Sequence, residues 1–147
     1  MTNYRVIGLM SGTSLDGIDI ICVRFSYRNT WKYQIEYSTT YSYSDEWIKK
    51  LKNAPQLNEK QIRLLDLEYG ILLGEMINHF TQENKIIKTE LDLISSHGHT
   101  IFHQPERGIT LQIGDGQSIS NLTKINVINN FRAVDVSLGG QGAPLVP

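Results

Sequence analysis

One cysteine, Cys22, stands among 147 residues, so no internal disulfide can form. That usage suits a reducing compartment and sets the expectation of a cytoplasmic protein. No apolar run approaches the roughly 20 residues that a membrane helix needs. The opening residues, MTNYRVIGLM, carry one arginine and too short an apolar run to read as a secretory signal. The formal net charge is −1, so neither a nucleic acid nor an acidic membrane surface is indicated as partner. Internal repeats and low-complexity segments are lacking as well. What is left is an ordinary globular composition, 40% hydrophobic and 20% charged, on a chain long enough for one cored domain.

Three common site motifs are also missing. There is no G-x-x-x-x-G-K-[ST] phosphate loop and no G-x-G-x-x-G. A G-x-S-x-G nucleophile elbow fails because Asp16 sits where its second glycine belongs.

What is present starts at VIGLMSGTSLDGIDIICVRF, Val6 to Phe25. Two β-rich apolar runs, Tyr4 to Met10 and Ile18 to Phe25, flank a polar turn and read as a hairpin. Trp31 to Tyr43 is rich in aromatic and β-branched residues and reads as a third strand. Ser44 is placed to cap a short helix over DEWIKKLKNA that stops near Pro55. Asn58 and Gln61 have capping-box spacing. From there Ile62, Leu65, Tyr69, Leu72, Met76 and Phe80 form one apolar stripe, predicting a helix to about Gln82. Leu91 to Ser95 reads as a buried strand, and SHGHTIFHQP as a loop leaving it. Ile109 to Ile113 alternates as a small strand, Asp115 to Lys124 suits a short helix, and Ile125 to Ile128 is another buried strand.

The order predicts three antiparallel strands, then two parallel ones reached through helical crossovers. That is the ribonuclease-H-like arrangement, an α/β mixed sheet flanked by helices. Its first strand turn is where proteins of this class hold phosphate. Here that turn packs Ser11, Gly12, Thr13, Ser14, Leu15, Asp16 and Gly17. Glycine lets backbone N–H groups approach an anion, hydroxyls add donors, and Asp16 or Asp19 could hold Mg²⁺ directly or through water. The bland alternative is a glycine-rich hairpin turn with solvated hydroxyls.

Four segments, GLMSGTSLDGIDI, SSHGHTIFHQP, LQIGDG and NFRAVDVSLGGQGAPLVP, together resemble the anhydro-N-acetylmuramic acid kinase family. They span most of the chain in the family's order. The resemblance implies an actin-like, two-domain kinase of bacterial cell-wall (peptidoglycan) recycling that uses ATP and Mg²⁺. It implies cleavage of the sugar's internal anhydro bridge during phosphorylation, giving N-acetylmuramic acid 6-phosphate, and a homodimer at full length. Residues 1–147 would then be most of the first lobe. The family's second, nucleotide-binding lobe is not in this sequence, and the 147 residues alone are expected to be inactive. The family's phosphate loop falls on Gly12, Thr13, Ser14, Leu15, Asp16, Gly17, Ile18 and Asp19.

By resemblance Asp135, after the last strand, is the base that activates the attacking water. On its residues alone it reads first as a helix N-cap, an order that the resemblance reverses. Arg132 suits a phosphate or sugar carboxylate, or an ion pair. Gly139, Gly140 and Gln141 offer close backbone approach to the sugar, or form a plain loop. His97, His99 and His103 line the sugar pocket or bond within their loop; a zinc site lacks a cysteine or a close carboxylate to complete it. Asp115 contacts the nucleotide or caps the following helix. Cys22 reads as inert core, and Trp31 and Trp47 as packing. Two other functions compete: a non-catalytic sugar- or phosphate-binding lobe, and another actin-like phosphotransferase.

Overall fold

A computed structural model describes residues 2–142. Strands β1 (Thr2–Ser11), β2 (Ile18–Tyr27) and β3 (Trp31–Tyr41) come first. Helices α1 (Asp45–Asn53) and α2 (Glu59–Glu83) follow, then β4 (Leu93–Gln104) and β5 (Ile109–Ile113). The chain continues through α3 (Gly116–Thr123), β6 (Val127–Ile128) and α4 (Phe131–Ser137). The sheet runs β3-β2-β1-β4-β5, with β6 also on β4. β1 to β3 are antiparallel neighbours, and β4 lies parallel to β1 and to β6. This is the mixed α/β sheet with flanking helices of a ribonuclease-H-like lobe.

The caps form as their residue types demand. The Ser44 side chain accepts the Trp47 N–H at the start of α1. Asn58 and Gln61 exchange side-chain-to-backbone bonds, both 3.0 Å, at the start of α2. Each satisfies amides that the first helical turn leaves without partners.

The apolar stripe of α2 is rotated from the sequence expectation. Leu72 and Met76 only flank the core, whereas Leu73 and Ile77 lie within it beside Leu65, Tyr69 and Phe80. Gly70 and Gly74 are buried too, and they explain the rotation. A Cβ on Gly70 would stand 2.6 Å from the Asp115 carbonyl oxygen, and one on Gly74 would stand 2.9 Å from Leu122 Cδ1. Small residues let α2 approach α3 closely, so one face of the helix is spent on backbone contact.

Two expectations need correction. SHGHTIFHQP is not a loop: β4 runs unbroken to Gln104, because β1 pairs with its early part and β5 with its later part. Pairing on both edges supplies what the polar composition does not advertise. The residues after β6 form a helix, and Asp135 lies inside it; the N-cap is Asn130, at φ 56°. Asp135 is therefore not an N-cap.

Gly70→Ala tests the α2–α3 contact. Alanine gains about 1 kcal/mol of helix propensity, but its methyl would overlap a backbone carbonyl that cannot move alone, at about 1–3 kcal/mol. A net loss of up to about 2 kcal/mol is expected in urea unfolding of the 147-residue chain. A variant as stable as the parent would show that the contact yields.

Candidate active site

Residues 12–17 join two strands whose ends are buried: Ser11 closes β1, and Ile18, fully buried, opens β2. The turn is tight. Leu15 N–H reaches back to the Gly12 carbonyl at 3.4 Å, and Leu15 takes a left-handed φ of 61° while its side chain rests on the core. Gly17 passes the Tyr41 carbonyl of β3 so closely that a Cβ would come within 2.5 Å of its oxygen. Thr13, Ser14 and Asp16 are left exposed, with Ser14 Oγ donating to Asp16 Oδ1 at 2.8 Å. Asp19 points away from the core between Ile18 and Ile20, and accepts from Thr40 Oγ1 at 2.5 Å.

Beneath this turn lies a chain of buried polar groups. Tyr69 OH and Tyr43 OH are 2.5 Å apart, Tyr43 OH and Ser11 Oγ 2.6 Å, and Ser11 Oγ and His99 Nδ1 3.1 Å. All four residues are buried. The sequence offered no signal for this role of the two tyrosines, and His99 entered only as one of three histidines. Hydrogen-bonded polar groups in a dry setting hold one geometry, so the end of β1 is pinned from α2, from Tyr43 and from β4.

The three histidines have three different partners. His97 Nδ1 is 2.8 Å from the Gly98 carbonyl, His99 is on Ser11, and His103 Nδ1 is 3.2 Å from Thr110 Oγ1. Among the described residues no three histidine, cysteine or acidic side chains come together as a metal-holding group. Cys22 is buried, and that burial pushes its thiol up, away from the reactive thiolate. Trp31 stacks on Tyr4 and meets Phe25 edge-on, while Trp47 packs on Tyr69. Asp115 caps α3, accepting the Ser118 N–H at 2.6 Å.

A second group gathers around α4. The His97 ring packs against Phe131, and the neighbouring Arg132 adds to the burial that holds the His97 imidazole below its ordinary range. Arg132 is itself partly buried, which lowers its pKa, and no ion pair engages it among the described residues. Asp135 Oδ2 accepts the Gly142 N–H at 2.7 Å, and its carbonyl accepts the Gly140 N–H at 2.9 Å. Gly140 has no room for a Cβ beside the Asp135 carboxylate, and Gly139 and Gly142 take φ of 86° and 70°. The glycine-rich loop thus wraps the aspartate. The remaining residues, 143–147, lie outside those described.

β4 joins the two groups, because His99 sits under the turn and His97 faces α4. A bulge makes both possible. Leu9 and Ser11 of β1 pair with Ser96 and His99, so β4 spends an extra residue there, with Gly98 at φ 72°. Such bulges re-aim side chains next to sites.

The family model described as anhydro-N-acetylmuramic acid kinase matches residues 4–147. The chain belongs to the anhydro-N-acetylmuramic acid kinase family. Curated kinases of that name include one from Shewanella baltica strain OS223, 42% identical over 152 residues that cover all of this chain. Others come from Shewanella frigidimarina strain NCIMB 400, 41% identical over 96% of the chain, and Bacillus thuringiensis subsp. konkukian strain 97-27, 36% identical over 97%. The chain spans about 40% of the length of these kinases. No helix among the described residues is long and apolar enough to cross a membrane.

Burial holds both His97 and His99 below the usual imidazole range, near 6.5. The unfolded chain therefore binds more protons just below that pH, and folding stability present above about pH 6.5 is lost as pH falls through the lower folded values. The melting temperature should drop between about pH 7 and pH 5, and less steeply in His99→Asn. An unchanged slope in that variant would place the proton uptake elsewhere.

Proposed function

We propose that this chain forms the first lobe of an ATP-dependent kinase acting on 1,6-anhydro-N-acetylmuramic acid in peptidoglycan recycling. The observation that carries the reading is the Gly12–Asp19 turn. It is pinned from beneath by Ser11, Tyr43, Tyr69 and His99, and it leaves hydroxyls and a carboxylate exposed. Catalysis of phosphoryl transfer rests mostly on positioning and charge stabilisation, which a rigid glycine-rich turn provides. The γ-phosphoryl of ATP passes to the bridging oxygen, the bond from that oxygen to the anomeric carbon breaks, and water adds there. N-acetylmuramic acid 6-phosphate and ADP result.

Within this reading Gly12 to Asp19 hold the phosphates. Mg²⁺ requires hard oxygen ligands, and Asp16 and Asp19 fit. Each gives one carboxylate oxygen to a neighbouring hydroxyl and keeps the other without a protein partner among the described residues. When bound, the ion neutralises phosphate charge. In this reading Arg132 takes the sugar's carboxylate, and Gly139, Gly140 and Gln141 give close backbone approach to the sugar.

Asp135 has two tasks, one for each oxygen. Oδ2 holds the Gly142 N–H, and Oδ1 is left to take a proton from water. Asp135→Asn keeps an acceptor for Gly142 and removes the basicity. In the enzyme of full family length that carries this segment, kcat should fall by roughly 10²–10⁴ with KM for ATP little changed and an unaltered melt. An Asn variant with near-parental kcat would leave Asp135 only its hold on the loop.

The 147-residue chain alone should show no kinase turnover, because the positioning it supplies comes from one side of the cleft. Robust phosphorylation of the anhydro sugar by the purified chain would overturn that expectation. If the full-length enzyme neither consumes ATP nor opens the sugar, a non-catalytic binding lobe becomes the better reading.

A further inference from the structure

Ser11 counts among the hydroxyls of the polar turn in the sequence, but its side chain does not face outward. Only 3% of Ser11 is exposed, and Oγ lies 2.6 Å from Tyr43 OH and 3.1 Å from His99 Nδ1. Thr13 and Ser14 are left as the exposed hydroxyls of the turn. What Ser11 does below the turn depends on which way the protons run.

The direction follows from a count of donors. Tyr69 is completely buried, and Tyr43 OH, 2.5 Å away, is the one hydrogen-bond partner of its hydroxyl among the described residues. Burial pushes both phenols up, so each keeps its proton. A buried O–H without an acceptor is costly, so Tyr69 donates to Tyr43. Tyr43 has one other partner, Ser11 Oγ, which takes its proton. Ser11 in turn has only His99 Nδ1 to receive its own. Nδ1 is therefore the acceptor nitrogen of a neutral ring, and the His99 proton sits on Nε2. Burial, which holds the His99 imidazole below its ordinary range, favours that neutral form. The opposite order, with Nδ1–H donating to Ser11, would move every proton one place along. It would leave that of Tyr69 in the core with no acceptor.

His97 is held the other way. Its Nδ1 is 2.8 Å from the Gly98 carbonyl, which can only accept, so Nδ1 carries the proton. Two histidines on one strand thus keep their protons on opposite nitrogens, each set by the group that meets Nδ1.

The turn has few bonds of its own. Leu15 N–H reaches the Gly12 carbonyl at 3.4 Å, and Ser14 Oγ donates to Asp16 at 2.8 Å. Order in residues 12–17 must come from their flanks. On one flank Gly17 passes close to the Tyr41 carbonyl. On the other stands Ser11, joined through the hydroxyl chain to β4, to the segment before α1 and to α2.

We propose that Tyr43, Tyr69 and His99 are positioning residues of the Gly12–Asp19 turn, acting through Ser11 by a hydroxyl chain whose protons all run from Tyr69 to His99. Ser11 is then an anchor of the turn and not a ligand of the nucleotide. This rests on the reading of the turn as phosphate-binding and adds the groups that hold it in shape.

The chain is tested first in the 147 residues themselves. Long-range ¹H–¹⁵N correlation of the ¹⁵N-histidine-labelled protein at about pH 8, well above the ordinary imidazole value, reads both tautomers. His99 should show a bare Nδ1 and a protonated Nε2, and His97 the reverse. A His99 proton on Nδ1 would overturn the proposal. Backbone ¹⁵N relaxation then reads the turn. Order parameters of residues 12–17 should lie near the rigid value of about 0.85 and fall below about 0.6 in Tyr43→Phe, while those of α3 hold. Tyr69→Phe removes only the first donor and should loosen the turn less. Phenylalanine keeps either ring in place, so a packing role alone would leave the turn unchanged in both variants, and that result would also sink the idea. If Tyr43→Phe does not fold, Ser11→Ala cuts the chain at the next link and takes its place. In the enzyme of full family length, Tyr43→Phe should raise KM for ATP roughly five- to tenfold with a smaller change in kcat. An unchanged KM beside a loosened turn would overturn the positioning role. Absence of turnover in the parent enzyme, with the tautomers and the loosened turn as expected, would remove the kinase reading and keep the ordered chain.

Discussion

At Gly98 the backbone of β4 takes a left-handed step beside the Ile113 carbonyl, at a distance that leaves no space for a Cβ. The rest of the site depends on that step. It introduces the extra residue that shifts the β1–β4 register between Leu9 and Ser11, and so brings His99 opposite Ser11. Without it, the alternation of a regular strand would send His99 to the other face, and the hydroxyl chain under the Gly12–Asp19 turn would lose its last member. The same step leaves the Gly98 carbonyl against His97 Nδ1, which sets the tautomer of the ring facing α4.

Glycine recurs where backbones meet. Gly17 clears the Tyr41 carbonyl, Gly70 clears Asp115, and Gly140 clears the Asp135 carboxylate. Each close approach attaches a segment to a rigid neighbour: the Gly12–Asp19 turn to β3, α2 to the start of α3, and the loop around Gly140 to α4. The polar groups follow the same logic. Asp66 of α2 accepts the Gly114 N–H that leads into α3, although burial pushes its carboxyl up. That single bond ties the longest helix to the start of α3.

Much of this was legible in the residues. The capping box at Asn58, the cap at Ser44 and the antiparallel order of the first three strands follow from local chemistry, and they form as expected. The Gly12–Asp19 turn was conspicuous because a polar, glycine-rich run between two buried strands has few structural uses. Four extended segments sufficed to place the chain in its family. The polar stretch from His97 to Gln104 misled, since nothing in its composition reveals that β1 and β5 will pair with its two parts.

Sequence alone determined most of the local elements, their caps and the position of the Gly12–Asp19 turn, because these depend on residues within a few positions of one another. Only the tertiary structure decided what lies beneath and beside that turn. Ser11, Tyr43, Tyr69 and His99 are separated by up to 88 positions, and no spacing rule connects them. Which side chains meet in a buried network is a property of three-dimensional enclosure, which the linear order of residues does not record.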